Sequence, residues 1–372
     1  MKDKKKNENK NQERDPDILD VLWKKASVPL VSIVLALIIG GVIIAISGSN
    51  PFQAYRALFQ SALGSMSGLG RTLEKATPLI FSGLAVTFAF KAGLFNIGTQ
   101  GQLLMGAITS AYLGFAITGL PPVIHIPLAL LGGALAGALF GSIPGILKTS
   151  TGAHEVITTI MLNYVAINIT DYLSDGPLKE VSYTDIVART PHIEPSAEIP
   201  RIAELPLGFL IAVLFAVLVW WILEKTTLGF EIRTAGLSGT AAKYAGIKVS
   251  AIIIITMVIS GALSGIGGAV ETQGIVGRYQ PGFNTGLGFD GITVALLGKV
   301  NPIGNIFSAL LIGAMKAGGS KMQFVAGVTP EITNIVQALM LFFVAAERIV
   351  RWLIRQRESE DEGLKLTSSW GN

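Results

Sequence analysis

The sequence predicts an all-α polytopic membrane protein, on three observations. Only 15% of its 372 residues are charged and 50% are hydrophobic, whereas soluble domains carry about 25% charged residues. Several apolar stretches are about 20 residues long, enough to cross roughly 30 Å of hydrocarbon as helices. Gly, at 43 residues, far exceeds the usual share of about 7%. That excess suits helices that associate through close backbone approach, since lipid supplies no hydrophobic drive between them.

Taken in order, residues 1–27 open MKDKKKNENKNQERD and read as a polar, basic, disordered cytoplasmic tail. The first span is Val28 to Ser47, longer than the apolar core of a secretory signal and therefore uncleaved. Residues 50–77 are semi-polar and include an interfacial helix. The second span, Pro78 to Phe90, is short and ends at Lys91. Residues 92–102 are rich in Gly and amides, and the third span runs on from them to Ile117. After the turn Gly119-Leu120-Pro121-Pro122 comes the fourth, Val123 to Leu147. Thr149-Ser150-Thr151-Gly152 breaks the chain before the fifth, Glu155 to Leu173. Residues 174–205 are polar, hold Pro177, Pro191, Pro195 and Pro200, and read as an external loop. The sixth span is Pro206 to Leu223, followed by a charged stretch, 224–250. The seventh is Ala251 to Val270, the eighth a short Gly286 to Leu297, the ninth Pro302 to Met315 and the tenth Glu331 to Ala346. The membrane domain is 28–350, and 351–372 is a second cytoplasmic tail.

Charge placement orients these about ten spans. With the basic N-terminus inside, Lys91, Lys148, Lys225, Arg233, Lys243, Lys248, Lys299, Arg348, Arg351, Arg355 and Arg357 all fall inside. Both termini are then cytoplasmic. Trp23, Trp220, Trp221 and Trp352 sit at the same boundary, as an aromatic belt does. Arg56, Arg71, Lys75 and Lys321 dissent. Similar starts at Ser82-Gly83 and Ser260-Gly261, five spans apart, suggest two inverted halves, each with a short or broken span. Gly133, Gly137, Gly141 and Gly145 make a small-residue ridge, and Gly261, Gly265 and Ala269 make another; both read as tight packing ahead of a moving interface.

Enzyme chemistry finds little support. The chain has no Cys and only 3 His, which excludes disulfides and Cys/His zinc sites. Gly286-Leu287-Gly288-Phe289-Asp290-Gly291 matches a dinucleotide fingerprint without the βαβ unit that gives it meaning. No phosphate-cradling GxxxxGK[ST] loop occurs. His154-Glu155 fails as HExxH, because position 158 is Thr. The net charge of +4 reads as membrane topology, not nucleic-acid affinity.

Two stretches remain as candidates. In Gly93–Gln102, Asn96, Thr99, Gln100 and Gln102 place donors and acceptors beside an apolar span, suiting either a solute path for a neutral molecule or interhelical hydrogen bonding. Asn163, in the fifth span, is either pore lining or packing glue; Asp171 lies near its outer end. Within 224–250, Ser238 is placed to cap a short helix over 239–245 that Gly246 ends. Its small residues suit docking in a groove on a cytoplasmic partner.

The stretch TAGLSGTAAKYAGI resembles the EAA-type coupling loop of ATP-binding-cassette (ABC) importer permeases. KAGLFNIGTQGQLLMGA (91–107) and GAHEVITTIMLNYVA (152–166) are similar to motifs of the branched-chain amino acid, ribose and nucleoside permease family. The resemblance covers residues 28 to 350 and is nearest to permeases that serve basic-membrane-protein type nucleoside-binding lipoproteins. It implies an importer subunit in the plasma membrane, pairing with a second, homologous permease. A cytoplasmic ATPase would dock on Thr240, Ala241, Ala242, Lys243, Tyr244, Ala245 and Gly246, although the Glu of the EAA pattern is replaced, with Thr240 in its place. An external lipoprotein would deliver a nucleoside to a path including Asn96–Gln102. No cofactor is bound by this chain; ATP and magnesium belong to the partner ATPase.

The residues point the same way about energy: there is no nucleotide site and no convincing buried carboxylate for proton coupling. Competing readings are the same importer carrying simple sugars or branched-chain amino acids, a secondary transporter or facilitator without an ATPase, and a membrane scaffold with no solute path. No Arg sits in a span to meet a carboxylate, which favours a neutral solute.

Overall fold

In the computed structural model, residues 18–181, 187–282, 286–346 and 350 are described. The tail segments 1–17 and 351–372, the Trp23 side chain, Arg348, Arg351, Trp352, Arg355 and Arg357 lie outside the described residues. Apolar runs become helices almost throughout. Helix α1 (Ile18–Ile46) starts earlier than the expected Val28, so residues 18–27 are helical, not a disordered tail. Helix α2 (Pro51–Leu63) has Pro51 in its first turn and is capped by Asn50, whose side chain accepts from the backbone N–H of Phe52 at 3.0 Å. This satisfies orphan donors at a helix start.

The expected short second span is the latter half of one long helix, α3 (Met66–Lys91), which runs through Pro78. A membrane helix tolerates proline where neighbours close around the freed backbone groups, and residues 76–89 are all buried. After α4 (Thr99–Ala116) and α5 (Pro122–Thr151), the chain turns at Gly152, in the left-handed region at φ +74°. His154 caps α6 (Glu155–Asp175), and Lys148 pairs with Glu155 at 2.5 Å across the corner.

The described part of the 174–205 segment, 174–181 and 187–205, is a fitted cover as well as a connection. Glu194 N–H donates to Gly114 O (2.9 Å), Ile193 N–H to Gly277 O (2.9 Å) and Ile199 N–H to Gln273 O (3.0 Å). A hairpin of β1 (Arg201–Ile202) and β2 (Leu205–Pro206) closes it, with Arg201 on Glu74 at 2.6 Å. Next come α7 (Leu207–Lys225), α8 (Thr227–Leu237), α9 (Gly239–Tyr244) and α10 (Val249–Glu271), whose last turn widens into a π-turn over Thr272–Val276. Helices α11 (Leu287–Leu297), α12 (Pro302–Ala326) and α13 (Pro330–Ala345) complete the chain. α12 continues well past Met315, where the ninth span was expected to end.

Among the described residues, 5 helices are long and apolar enough to cross a membrane: α3, α5, α6, α7 and α10 with its π-turn. α1, α11 and α13 contribute shorter apolar segments. The two glycine ridges turn out to face each other. On α5, a Cβ at Gly137 would strike Gly261 O, one at Gly141 would lie 2.6 Å from Met257 O, and one at Gly133 would lie 2.7 Å from the Ala269 Cβ. α5 and α10 therefore approach backbone to backbone, the contact that small residues permit in lipid.

Candidate functional site

The amide stretch folds into a knot where α3, α4, α6, α10 and α11 converge. The Asn96 side chain donates to Gln102 Oε1 (3.0 Å) and Ser260 Oγ (2.9 Å), and its Oδ1 accepts from Gly98 N–H (2.9 Å). Ser260 in turn donates to Ala85 O at 2.7 Å. Asn163 accepts from Gly101 N–H (2.8 Å) and donates to Ile97 O (3.0 Å). Thr99 donates to Gly288 O (2.9 Å), while Gly288 N–H donates to Gln100 Oε1 (2.8 Å). The first turns of α4 and α11 are thus cross-linked.

All five residues expected on the solute path, Asn96, Thr99, Gln100, Gln102 and Asn163, come together here, and each is 3% exposed or less. In this conformation their polar groups are turned on one another and on neighbouring backbone. A buried amide left unpaired costs about 1–3 kcal/mol, so the knot fixes how these helices meet.

The charged stretch 224–250 forms a bent pair of helices. Thr226 caps α8, accepting from Gly229 N–H at 3.1 Å, and Arg233 pairs with Glu224 at 2.8 Å. Ser238 caps α9, accepting from Ala241 N–H at 3.2 Å. Gly246, at φ +82°, ends it. Thr240, Ala241, Lys243, Tyr244, Ala245 and Gly246 are exposed and Ala242 is buried. Tyr244 is 90% exposed and Leu237 84%, so this end presents apolar surface beside Lys243. α8 also touches the end of α3: a Cβ at Gly236 would fall on Lys91 O. The sequence KAGLFN then leads from that contact directly into the amide knot.

Sequence reasoning missed a set of charges inside the bundle. Lys316 Nζ on α12 pairs with Asp290 Oδ2 on α11 at 2.8 Å. Gln337 on α13 donates to Asp290 Oδ1 at 2.6 Å. Glu271, at the end of α10, is buried, and its Oε2 has no hydrogen-bond partner among the described residues. The expectation of no buried carboxylate is corrected by that side chain. Glu271 and Lys316 each stand one residue past an expected span end, at Val270 and Met315. Asp290 was set aside with the false dinucleotide fingerprint.

A bundle with 5 helices long and apolar enough to cross a membrane, sealed polar junctions and an exposed, capped helix pair at one end defines a multi-pass membrane protein. The family model for the branched-chain amino acid transport system / permease component matches residues 68–345, and the chain belongs to that family. It is 42% identical over 335 residues to the guanosine ABC transporter permease protein NupP of Bacillus subtilis, covering 88% of this chain and 95% of the relative. Against the nucleoside ABC transporter permease protein NupB of Lactococcus lactis the identity is 37%, covering 89% and 93%. Against the glucose ABC transporter permease protein TsgB13 of Haloferax volcanii it is 33%, covering 91% and 92%. No solved structure matches. The chain is a permease subunit of an ABC importer and not an enzyme, which sets aside the facilitator and scaffold readings.

Proposed function

We propose that this permease carries nucleosides. The observation that carries the reading is the pair of relatives, at 42% and 37% identity over nearly the whole chain, whose names specify guanosine and nucleosides. The chemistry agrees: in the helices long enough to cross a membrane, α3, α5, α6, α7 and α10, the one Arg is Arg71, exposed near the start of α3, and the Asp290–Lys316 pair balances its own charge. Both suit a neutral, hydrogen-bonding solute. A sugar is the second reading, favoured by the glucose permease relative at 33% identity.

The same proposal includes a second, homologous permease, an ATPase seated on Thr240 to Gly246, with ATP and magnesium held by that ATPase, and an external binding lipoprotein. Support for the docking role is a capped helix exposing Tyr244, at the end of the bundle that also carries Lys91 and Lys299. Both termini lie on that cytoplasmic side by the distribution of Lys and Arg. About ten spans in two inverted halves fit the packing pattern: α3 lies against α11 and α12, as α10 lies against α4 and α5.

The test is uptake of labelled guanosine or uridine by vesicles holding the complete transporter, with unlabelled ribose, glucose and leucine as competitors. Nucleosides alone should compete. Competition by glucose with no effect of nucleosides would overturn the substrate reading.

A further inference from the structure

Two of the charges that sequence reasoning missed meet on one flank of the bundle. Asp290 lies in the first turn of α11, a helix too short to span a bilayer by itself, and its pair with Lys316 joins α11 to α12. Their side chains keep 19% and 26% of their surface exposed. Charge facing hydrocarbon is expensive, and ionisable groups within spans face a bundle interior or a water-filled cavity. The open flank of this pair therefore faces water or another protein.

The polar face continues toward the 174–205 end of the molecule. Ser320 lies one helical turn beyond Lys316 and is exposed, and Lys75 is the last exposed residue of α3 before its buried run. Glu271, at the end of α10, is buried, with the charges of Lys75 and Lys316 in its neighbourhood. Its unpartnered Oε2 is an acceptor with no donor among the described residues. The amide knot offers no such opening: its five residues are 3% exposed or less, whereas the Asp290–Lys316 pair keeps an open flank.

We propose that solute crosses along this face, centred on Asp290 and Lys316, with the opposite wall supplied by the second permease. The inference rests on the transport reading above. The chemistry it would recognise is that of a neutral, polyhydroxylated solute bearing amide-like groups. Asp290 accepts from sugar hydroxyls or ring N–H groups, and Lys316 donates to a base carbonyl. Asp290 and Lys316 neutralise each other when the path is empty and exchange that pairing for solute contacts when it is filled. A broken helix whose first turn meets the solute is a recurrent way to build such a site.

The native chain has no Cys, so single cysteines in it report accessibility without background from this subunit. In vesicles holding the complete transporter, Lys316→Cys, Ala317→Cys and Ser320→Cys should react with a small, charged, membrane-impermeant thiosulfonate. Guanosine, supplied with binding protein and ATP, should slow that reaction. Asn96→Cys and Gln100→Cys should stay unreactive. Ser320→Cys is conservative and exposed, so it keeps the test alive if Lys316→Cys fails to assemble. Reaction at 96 and 100 but not at 316, 317 and 320 would overturn the proposal, as would reaction at 316–320 that no transported solute slows. If the transporter takes up glucose in place of nucleosides and glucose gives the protection, the substrate reading falls and the path stands.

Discussion

Gly236 and Lys91 touch backbone to backbone: a Cβ on the glycine would land on the lysine carbonyl oxygen. This contact joins the exposed helix pair α8–α9 to the chain that enters the amide knot at Asn96. A push on α9 has a short, stiff route to the junction of α3, α4 and α10. Gly236→Val is therefore expected to lower uptake by on the order of tenfold, the size of a typical coupling between sites. Transporter abundance in the membrane and ATP hydrolysis should persist. Uptake and phosphate release measured on the same vesicles check this, and parallel loss of both would remove the coupling role.

Gly246→Trp probes the other end of the same device. Gly246 sits at φ +82° with nothing within 4 Å of a built Cβ. A Trp there meets no clash inside the chain but carries the left-handed cost of about 1–2 kcal/mol for an L-residue. The bundle should assemble, and a bulky ring would stand where, on the docking proposed above, an ATPase closes. Hydrolysis uncoupled from uptake is the expected result. Unchanged uptake would show that nothing seats on Gly246.

The amide knot yields a stability prediction that separates packing from solute contact. Asn163→Leu strips partners from Gly101 N–H and Ile97 O, both held at 3.0 Å or less. Leaving such buried groups unpaired costs about 1–3 kcal/mol each. The detergent-solubilised complex should melt several degrees lower, with less protein reaching the membrane. A variant that keeps its melting midpoint and changes only the KM for solute would return Asn163 to the translocation path.

What was legible follows from what repeats locally. Apolar run length reveals a membrane helix, so most spans were readable, and the Ser238 cap with Gly246 marked α9 because capping is a local affair. The α3 error has a physical cause: Pro78 and the polar residues before it resemble a helix start, yet tertiary packing carries the helix through them. The α1 start and the α12 end lie beyond the expected bounds because charged residues interrupt the apolar run while the helix continues. Lys316 and Glu271 are charges a span can hold once Asp290 or a protein interior faces them, and that neighbour is invisible in a linear reading. The ridges were visible one helix at a time; that they pack on each other needed the fold.

The ridge contact also gives the sharpest mechanical prediction. Gly261 stands against Gly137 so that a Cβ would strike its carbonyl oxygen, and Gly265 repeats the arrangement against Gly133 one turn on. Gly261→Val must push α5 and α10 apart, and overpacking of this kind costs about 1–3 kcal/mol. The strain would spread, since α10 also carries Ser260, which holds Asn96, and ends at Glu271. Gly274→Ala is the matched control: its nearest neighbours are Ile199 carbons at 3.8 and 3.9 Å, ordinary contact. Gly261→Val should lower both the melting midpoint and the uptake rate, and Gly274→Ala should leave the midpoint near that of the native chain. Equal midpoints for the two variants would mean that α5 and α10 slide freely, which the interlocked glycines do not permit.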